Sequence, residues 1–247
     1  MKTYKTLFVS EMRLTIRDMN TLFFGVGFST ALAIILGLVM GAKPAFEGAS
    51  YTMFEQSFGA IISIGIAATG LMGVPLTLSD YRHRKILKRF KVTPISPSLL
   101  LTVQLAVNFV VSVLSLISVY VVSAVFFGFR LRGNMGEFIL AYFLVLISVF
   151  SLGMLAASIS PNIKTAELIS SLLYFPMLLL SGATLPYEVM PEMMQKASDI
   201  LPLTQGIKVL KGATLGLPVE NILVSVMVMI LLCVICTIIS VRFFKWE

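Results

Sequence analysis

Six stretches of this 247-residue chain contain no Asp, Glu, Lys, Arg or His: residues 21–41, 56–79, 98–129, 138–163, 168–187 and 221–241. Each is long enough to cross a bilayer as a helix, which takes about 20 mostly apolar residues. A spanning segment must satisfy its backbone polar groups internally, so the fold class is an all-α integral membrane protein with six transmembrane helices. Their approximate bounds are 21–41, 57–78, 98–127, 138–160, 165–185 and 221–241. Of the residues 57% are hydrophobic and only 13% charged, where a soluble domain carries roughly a quarter charged. Residues 1–247 therefore read as a single transmembrane domain, with no stretch polar and long enough to fold apart. Proton relays, ion-coupled carriers and intramembrane proteases need ionisable groups at membrane depth, so the work such a chain performs is expected to be powered from outside the bilayer.

Residues 1–20 carry charges throughout and the apolar run behind them is too long for a signal-peptide core, so the first span is expected to direct insertion. The net charge of +7 is distributed by topology. With the amino terminus inside, thirteen of the nineteen Lys and Arg fall on the inner side, among them Arg13, Arg17, Arg82, Arg84, Lys85, Lys88, Arg89, Lys91 and Lys164. This satisfies the positive-inside rule and puts both termini of a six-span chain in the cytoplasm. Cys233 and Cys236 lie inside the last span, where neither further metal ligands nor an exposed thiolate is available; they read as packing residues. His83 is the lone histidine and sits in a basic cluster beside Asp80. No Walker-type phosphate loop is present. The chain is thus expected to be no enzyme and to hold no cofactor of its own.

Punctuation within the runs locates the turns. Ser29, Ala33, Gly37 and Gly41 share one face of span one, a pattern that lets helix backbones approach closely, either within the chain or between two copies. Gly59, Ser63 and Ala67 repeat it in span two, which is expected to bend where Pro75 removes a donor. Ser96 and Pro97 mark the start of span three. Ser160, Pro161 and Asn162 predict a tight hairpin between spans four and five. The long connection between spans five and six is half apolar, with short amphipathic helices near 191–201 and 204–215 expected to dip into the interface or cap the bundle as a lid.

Two cytoplasmic segments stand out. Phe8, Met12, Ile16, Met19 and Phe23 recur at three or four residues, predicting an amphipathic helix that lies on the inner leaflet. Residues 82–91 combine six basic residues with an apolar patch of Ile86, Leu87 and Phe90. Charge alone would enforce topology, but an exposed apolar patch suits a helix that docks into a protein partner, with the basic rim orienting the encounter. Nucleic acid is not an expected partner, since only Tyr81 and Phe90 could stack on bases.

The order of these elements resembles the permease subunit of type-2 ATP-binding cassette exporters, of the drug-resistance-like group. The resemblance rests on three pieces: Glu11, Met12 and Arg13 with Arg17 and Asp18 ahead of span one; residues 88–97, KRFKVTPISP; and residues 180–191, LSGATLPYEVMP, continuing through 201–204 and 210–212. Where the family often has acidic residues and a glycine, this chain has Tyr81, His83 and Lys85.

The resemblance implies an interfacial helix carrying Glu11, Arg13, Arg17 and Asp18. It implies a cytoplasmic coupling helix between spans two and three, formed by Arg84, Lys85, Ile86, Leu87, Lys88, Arg89 and Phe90. It also implies an extracellular lid of short re-entrant helices marked by Ser181, Gly182, Pro186, Glu188 and Pro191. The expected assembly is a homodimer, or a pair with a similar permease, in the cell membrane, bound to cytoplasmic ATPase subunits that hold the ATP and Mg. The expected function is export of a drug, antimicrobial peptide or other amphipathic, lipid-like cargo. A non-transporting membrane scaffold or sensor partner is the alternative, because docking to a cytoplasmic protein is what the basic segment itself indicates.

Overall fold

The computed structural model describes residues 2–41, 43–86, 97–184, 187, 190–218 and 222–243. A surface helix, α1 (Lys2–Arg17), is joined by the short turn Met19–Leu22 to the first long helix, α2 (Phe23–Met40). Next come α3 (Met53–His83), α4 (Pro97–Phe127), α5 (Met135–Ile159) and α6 (Ile163–Leu180). Two shorter helices, α7 (Glu192–Asp199) and α8 (Pro202–Leu215), precede α9 (Ile222–Phe243). Six of these helices are long and apolar enough to cross a membrane. Their charged residues fall near the helix ends, as with Glu55 and Arg82 in α3, Glu137 in α5, Lys164 and Glu167 in α6 and Arg242 in α9.

Helix α3 is the centre of the bundle. From Phe54 to Leu71 nearly every residue is buried, with α2, α4, α5, α8 and α9 arranged around it or one helix away. Lipid tails are as apolar as Leu, so burial gives these helices little reason to associate; close packing must do it. Glycine provides the approach. A Cβ on Gly59 would stand 3.1 Å from the backbone nitrogen of Lys211 in α8, and one on Gly65 would stand 2.4 Å from Ser115 Oγ in α4. At Gly153 of α5 it would lie 1.9 Å from the carbonyl oxygen of Gly70. Above these crossings Phe58, Phe129, Tyr120 and Phe138 pack as an aromatic cluster, with Phe58 and Phe129 stacked at 3.9 Å.

A ladder of hydroxyls joins α2 and α3 to α4. Ser29 meets Ser115 at 2.7 Å and Thr30 meets Ser118 at 2.9 Å, while Thr69 meets Ser112 at 2.5 Å. Each first-named hydroxyl also bonds a carbonyl of its own helix, at Val26 for Ser29 and Thr30 and at Gly65 for Thr69. The small-residue face of span one is therefore an internal contact: Ser29 and Ala33 are fully buried and Gly37 lies under the Phe127 ring. At the depth of the ladder both α2 and α3 widen into π-turns, Phe23–Gly27 and Ala68–Gly73, which pack against each other. The second leads directly into Val74 and Pro75, and the helix continues past the proline to His83. A wide turn absorbs the donor that Pro75 lacks, so the interruption foreseen at this residue sits in the turn before it.

Local chemistry sets the helix ends. Thr52 and Glu55 form a reciprocal capping box, so α3 begins at Met53 rather than near residue 57. Asn134 caps α5 through Gly136 N, and Asn162 caps α6 through Thr165 N at 2.9 Å, making a short hairpin after Ile159. Gly216, at φ +67°, ends α8. In α1 the packed face is Leu7, Phe8, Glu11, Met12 and Thr15, whereas Ile16, Met19 and Phe23 are exposed. The apolar stripe read from the sequence thus splits, its later half turning away from the bundle. Gly153→Ala is expected to push α5 off α3 and cost about 1–3 kcal/mol, read as a lower unfolding midpoint. Gly27→Ala, whose Cβ would find ordinary contact at 3.4 Å, should leave the midpoint nearly unchanged.

Candidate functional site

At the Arg82 end of the bundle, three elements are tied together by polar contacts. Glu11 of α1 is buried, and its carboxylate accepts from the Tyr81 hydroxyl of α3 and from Gln104 Nε2 of α4 at 2.6 Å. Gln104 also donates to the Tyr81 oxygen at 3.0 Å. The N-terminal helix is thereby held to the last turn of α3. Arg82, one residue on, donates to the carbonyl of Ser160 at 2.5 Å and to that of Ala157 at 3.3 Å. A guanidinium at a helix C-terminus answers both the unpaired carbonyls and the negative end of the helix dipole. Of the residues assigned to the interfacial helix, Arg13, Arg17 and Asp18 are exposed; Glu11 is the one drawn inward.

The chain leaves this anchored platform through the expected coupling segment. Arg84 Nε pairs with Asp80 at 2.8 Å, one turn back, and this pairing raises the Arg84 pKa above its ordinary value. Lys85 then takes φ +57°, a left-handed conformation that ends the helix and that glycine adopts without strain. Ile86 is half-buried. Leu87, Lys88, Arg89 and Phe90 lie outside the described residues, as does Ser96.

The other end is organised by Glu55. Its carboxylate closes the capping box on Thr52 N at 2.8 Å and receives Nε and Nη2 of Arg132, each at 3.2 Å. Arg132 belongs to the loop between α4 and α5, whose backbone is in turn fixed to α8: Arg132 N and Gly133 N both donate to the Thr214 carbonyl, at 3.1 and 3.0 Å. A Cβ on Gly133 would lie 1.9 Å from the Ala213 oxygen, so this seam admits no side chain. Helix α8 is buried from Leu203 through Leu215 on most of its positions and packs on α3, α5 and α9.

The expected lid residues frame this seam. Ser181 ends α6, its N–H bonded to Met177 O at 3.0 Å, and Gly182 turns the chain at φ +86°. Pro191 sits ahead of α7, its carbonyl accepting from Met194 N and Gln195 N. Pro186 and Glu188 lie outside the described residues. Asp199 gathers the end of the lid: Lys208 Nζ reaches it at 2.6 Å and the Tyr187 hydroxyl at 3.0 Å, with Lys208 4.5 Å above the Tyr187 ring. Burial and the bond to Asp199 raise the Tyr187 pKa, which keeps the phenol a proton donor. Ser198, buried, donates to the Leu180 carbonyl and so ties α7 back to the end of α6.

The Glu55–Arg132 pair, and the joining of Glu11 to Tyr81 and Gln104, were not foreseen from the sequence. Arg132 stands 77 residues from Glu55, and Tyr81 and Gln104 stand 70 and 93 residues from Glu11; the one local signal was the capping-box spacing of Thr52 and Glu55. Among the described residues, no group of three His, Cys, Asp or Glu could hold a metal. Arg132→Met leaves the Glu55 carboxylate buried without its cation and is expected to cost about 1.5–3 kcal/mol, read from the unfolding midpoint. Adding Glu55→Gln should recover part of that loss.

Comparison with known proteins fits this architecture. The family model described as ABC-2 type transporter matches residues 2–215. The chain is 38% identical over 72 residues to Nodulation protein J of Neorhizobium galegae, a match covering 29% of this chain and 28% of that protein. It is 30% identical over 90 residues to Nodulation protein J of Rhizobium leguminosarum bv. viciae, covering 36% and 35%. The matched stretch thus spans about a third or less of these relatives' lengths. A family match running from α1 to the end of α8, on a bundle of six membrane-length helices, makes this chain a member of the ABC-2 type transporter family, a non-catalytic membrane subunit.

Proposed function

We propose that this chain forms the cargo pathway of an ATP-driven exporter and takes its power from a separate cytoplasmic ATPase that grips the segment from Arg84 to Phe90. The observation that carries this reading is the anchored platform at the end of α3. Tyr81 binds α1 through Glu11, and Arg82 binds the end of α5, immediately before the chain turns at Lys85 into the basic and apolar segment. A push on that segment is delivered to α1, α3, α4 and α5 together. The membrane-depth parts of the helices carry no charge that an ion gradient could drive, which supports power entering through protein contact.

In this reading residues 1–247 are a single permease domain in the cell membrane, with cytoplasmic termini and the Glu55 end outside. A second copy or a similar permease completes the pathway, and the partner ATPase binds the ATP and Mg. The cargo is a drug, an antimicrobial peptide or another amphipathic, lipid-like molecule. The lid around Ser181, Gly182 and Pro191 controls its outer exit, while Arg13, Arg17 and Asp18 hold α1 at the inner leaflet.

Two experiments test this. Replacing Leu87 and Phe90 together by Asp is expected to abolish co-purification with the ATPase and the permease-dependent stimulation of ATP turnover, while membrane insertion stays normal. Full stimulation by the inserted double variant would overturn the docking assignment. Gly182→Val forces a β-branched residue into a left-handed turn; it is expected to lower transport while ATPase binding persists. Unimpaired transport in an inserted, ATPase-bound Gly182→Val variant would remove the lid from the transport cycle, whereas equal loss of both is the signature of misfolding.

A further inference from the structure

Helices α5 and α9 pack against each other closely, whereas α4 makes few contacts with either. The gap they leave is a groove of about 740 Å³, lined by residues that include Leu101, Ala106 and Phe109 of α4, Leu146 and Met154 of α5 and Val241 of α9. Leu101 lies near the start of α4, Met154 near the end of α5 and Val241 in the last turn of α9. These are the helix ends that meet where Gln104 bonds Tyr81 and Arg82 bonds Ser160. The groove therefore lies at the depth of one leaflet, the inner one in the orientation proposed above.

Its length fits that leaflet. The lining runs from Leu101 to Phe109 on α4 and from Leu146 to Met154 on α5, about 12 Å of helix in each case. The hydrocarbon of one leaflet is about 15 Å deep. Toward the middle of the bundle Phe109 stacks on Phe143, bridging α4 and α5 with ring centroids 5.7 Å apart and planes 5° apart. A further transmembrane helix would need a seam through the whole membrane, whereas an acyl chain of one leaflet ends where this stack stands.

Two polar features sit at the other end. Ser240 lines the groove, is 3% exposed, and its hydroxyl is unpartnered among the described residues. Thr102 and Ser151, also in the lining, instead donate to carbonyls of their own helices, at Leu99 and Ser148. A buried hydroxyl without a partner is unfavourable, and an acceptor entering the groove relieves it. Arg242 follows Val241 in the last turn of α9; it is exposed and makes no ion pair among the described residues.

We propose that this groove holds an acyl chain of one anionic phospholipid, whose ester carbonyl accepts from Ser240 and whose phosphate faces Arg242. The order of groups along the groove is the order in a leaflet: apolar lining for the chain, a hydroxyl donor for the ester region, a free cation for the head group. Basic residues at the membrane surface draw anionic lipids of the inner leaflet. The lipid is a resident part of the bundle that fills the gap between α4 and the α5–α9 pair. It is distinct from cargo and from the coupling segment, so the proposal stands or falls apart from both.

The test uses the full chain purified in detergent, with phosphatidylglycerol and phosphatidylcholine of matched chains added in turn and bound lipid counted by native mass spectrometry. Saturable binding of one phosphatidylglycerol is expected, tighter than that of phosphatidylcholine. Arg242→Gln should weaken phosphatidylglycerol about fivefold and leave phosphatidylcholine unchanged. Ser240→Ala should weaken both lipids alike. Ala106→Trp, which fills the groove, should abolish retention while the lipid-free unfolding midpoint holds. No saturable phosphatidylglycerol binding, an unchanged lipid preference in Arg242→Gln, or wild-type retention in both Ser240→Ala and Ala106→Trp would overturn the proposal. Loss of a dimer in Ala106→Trp, read by sedimentation, would also overturn it, by assigning the groove to a second copy of the chain.

Discussion

The bundle depends on how closely other backbones can approach α3. Inside lipid the hydrophobic effect no longer drives one helix onto another, so association rests on dispersion and on interhelical hydrogen bonds. Gly59, Gly65 and Gly70 place α8, α4 and α5 against three faces of the same helix. The hydroxyl ladder then sets depth and rotation between α2, α3 and α4. A membrane hydrogen bond of this kind contributes about 0.6 kcal/mol, rarely above about 1.7. The ladder therefore specifies register more than it supplies stability, and close packing carries the larger share.

That arrangement leaves the two ends of the bundle as the places where charge can act. At one, Glu11, Tyr81 and Gln104 hold α1 to α3 and α4, and Arg82 holds α3 to the end of α5. At the other, Glu55 joins the start of α3 to Arg132 and through its loop to α8. The ends are thus each a small polar knot, separated by a dry middle whose polar groups are hydroxyls and amides. The paired π-turns at Phe23–Gly27 and Ala68–Gly73 lie within that middle.

Much of the fold was legible because bilayer thickness imposes a length on apolar runs, and six such runs leave little freedom in the assignment. The hairpin at Asn162, the amphipathic pieces at α7 and α8 and the small-residue face of span one were readable from turn chemistry and from spacing, though not that this face is an internal contact. Glu11 was grouped with Arg13, Arg17 and Asp18 on an interfacial helix; only the distant Tyr81 and Gln104 reveal why its carboxylate points inward. Glu55 escaped notice for the same reason, since Arg132 reaches it from the loop between α4 and α5. Local patterns announce helices and caps, whereas partners many turns apart are fixed by the packing and have no signature along the chain. Lys85 is an intermediate case: it was visible as one of three departures, with Tyr81 and His83, from the family's acidic residues and glycine, and the left-handed backbone found there gives it a physical meaning.

Gly133 and Gly153 each leave their Cβ direction to a neighbour's carbonyl oxygen, one at the seam with α8 and one at the crossing of α5 over α3. Neither place can be filled by adjusting a side chain, because the obstacle is main chain. Any polypeptide that keeps these two junctions must keep hydrogen at both positions, however far the rest of its sequence drifts. The pair can therefore serve as a fingerprint when distant chains are screened for the same bundle, more discriminating than the apolar runs, which any six-span protein shares.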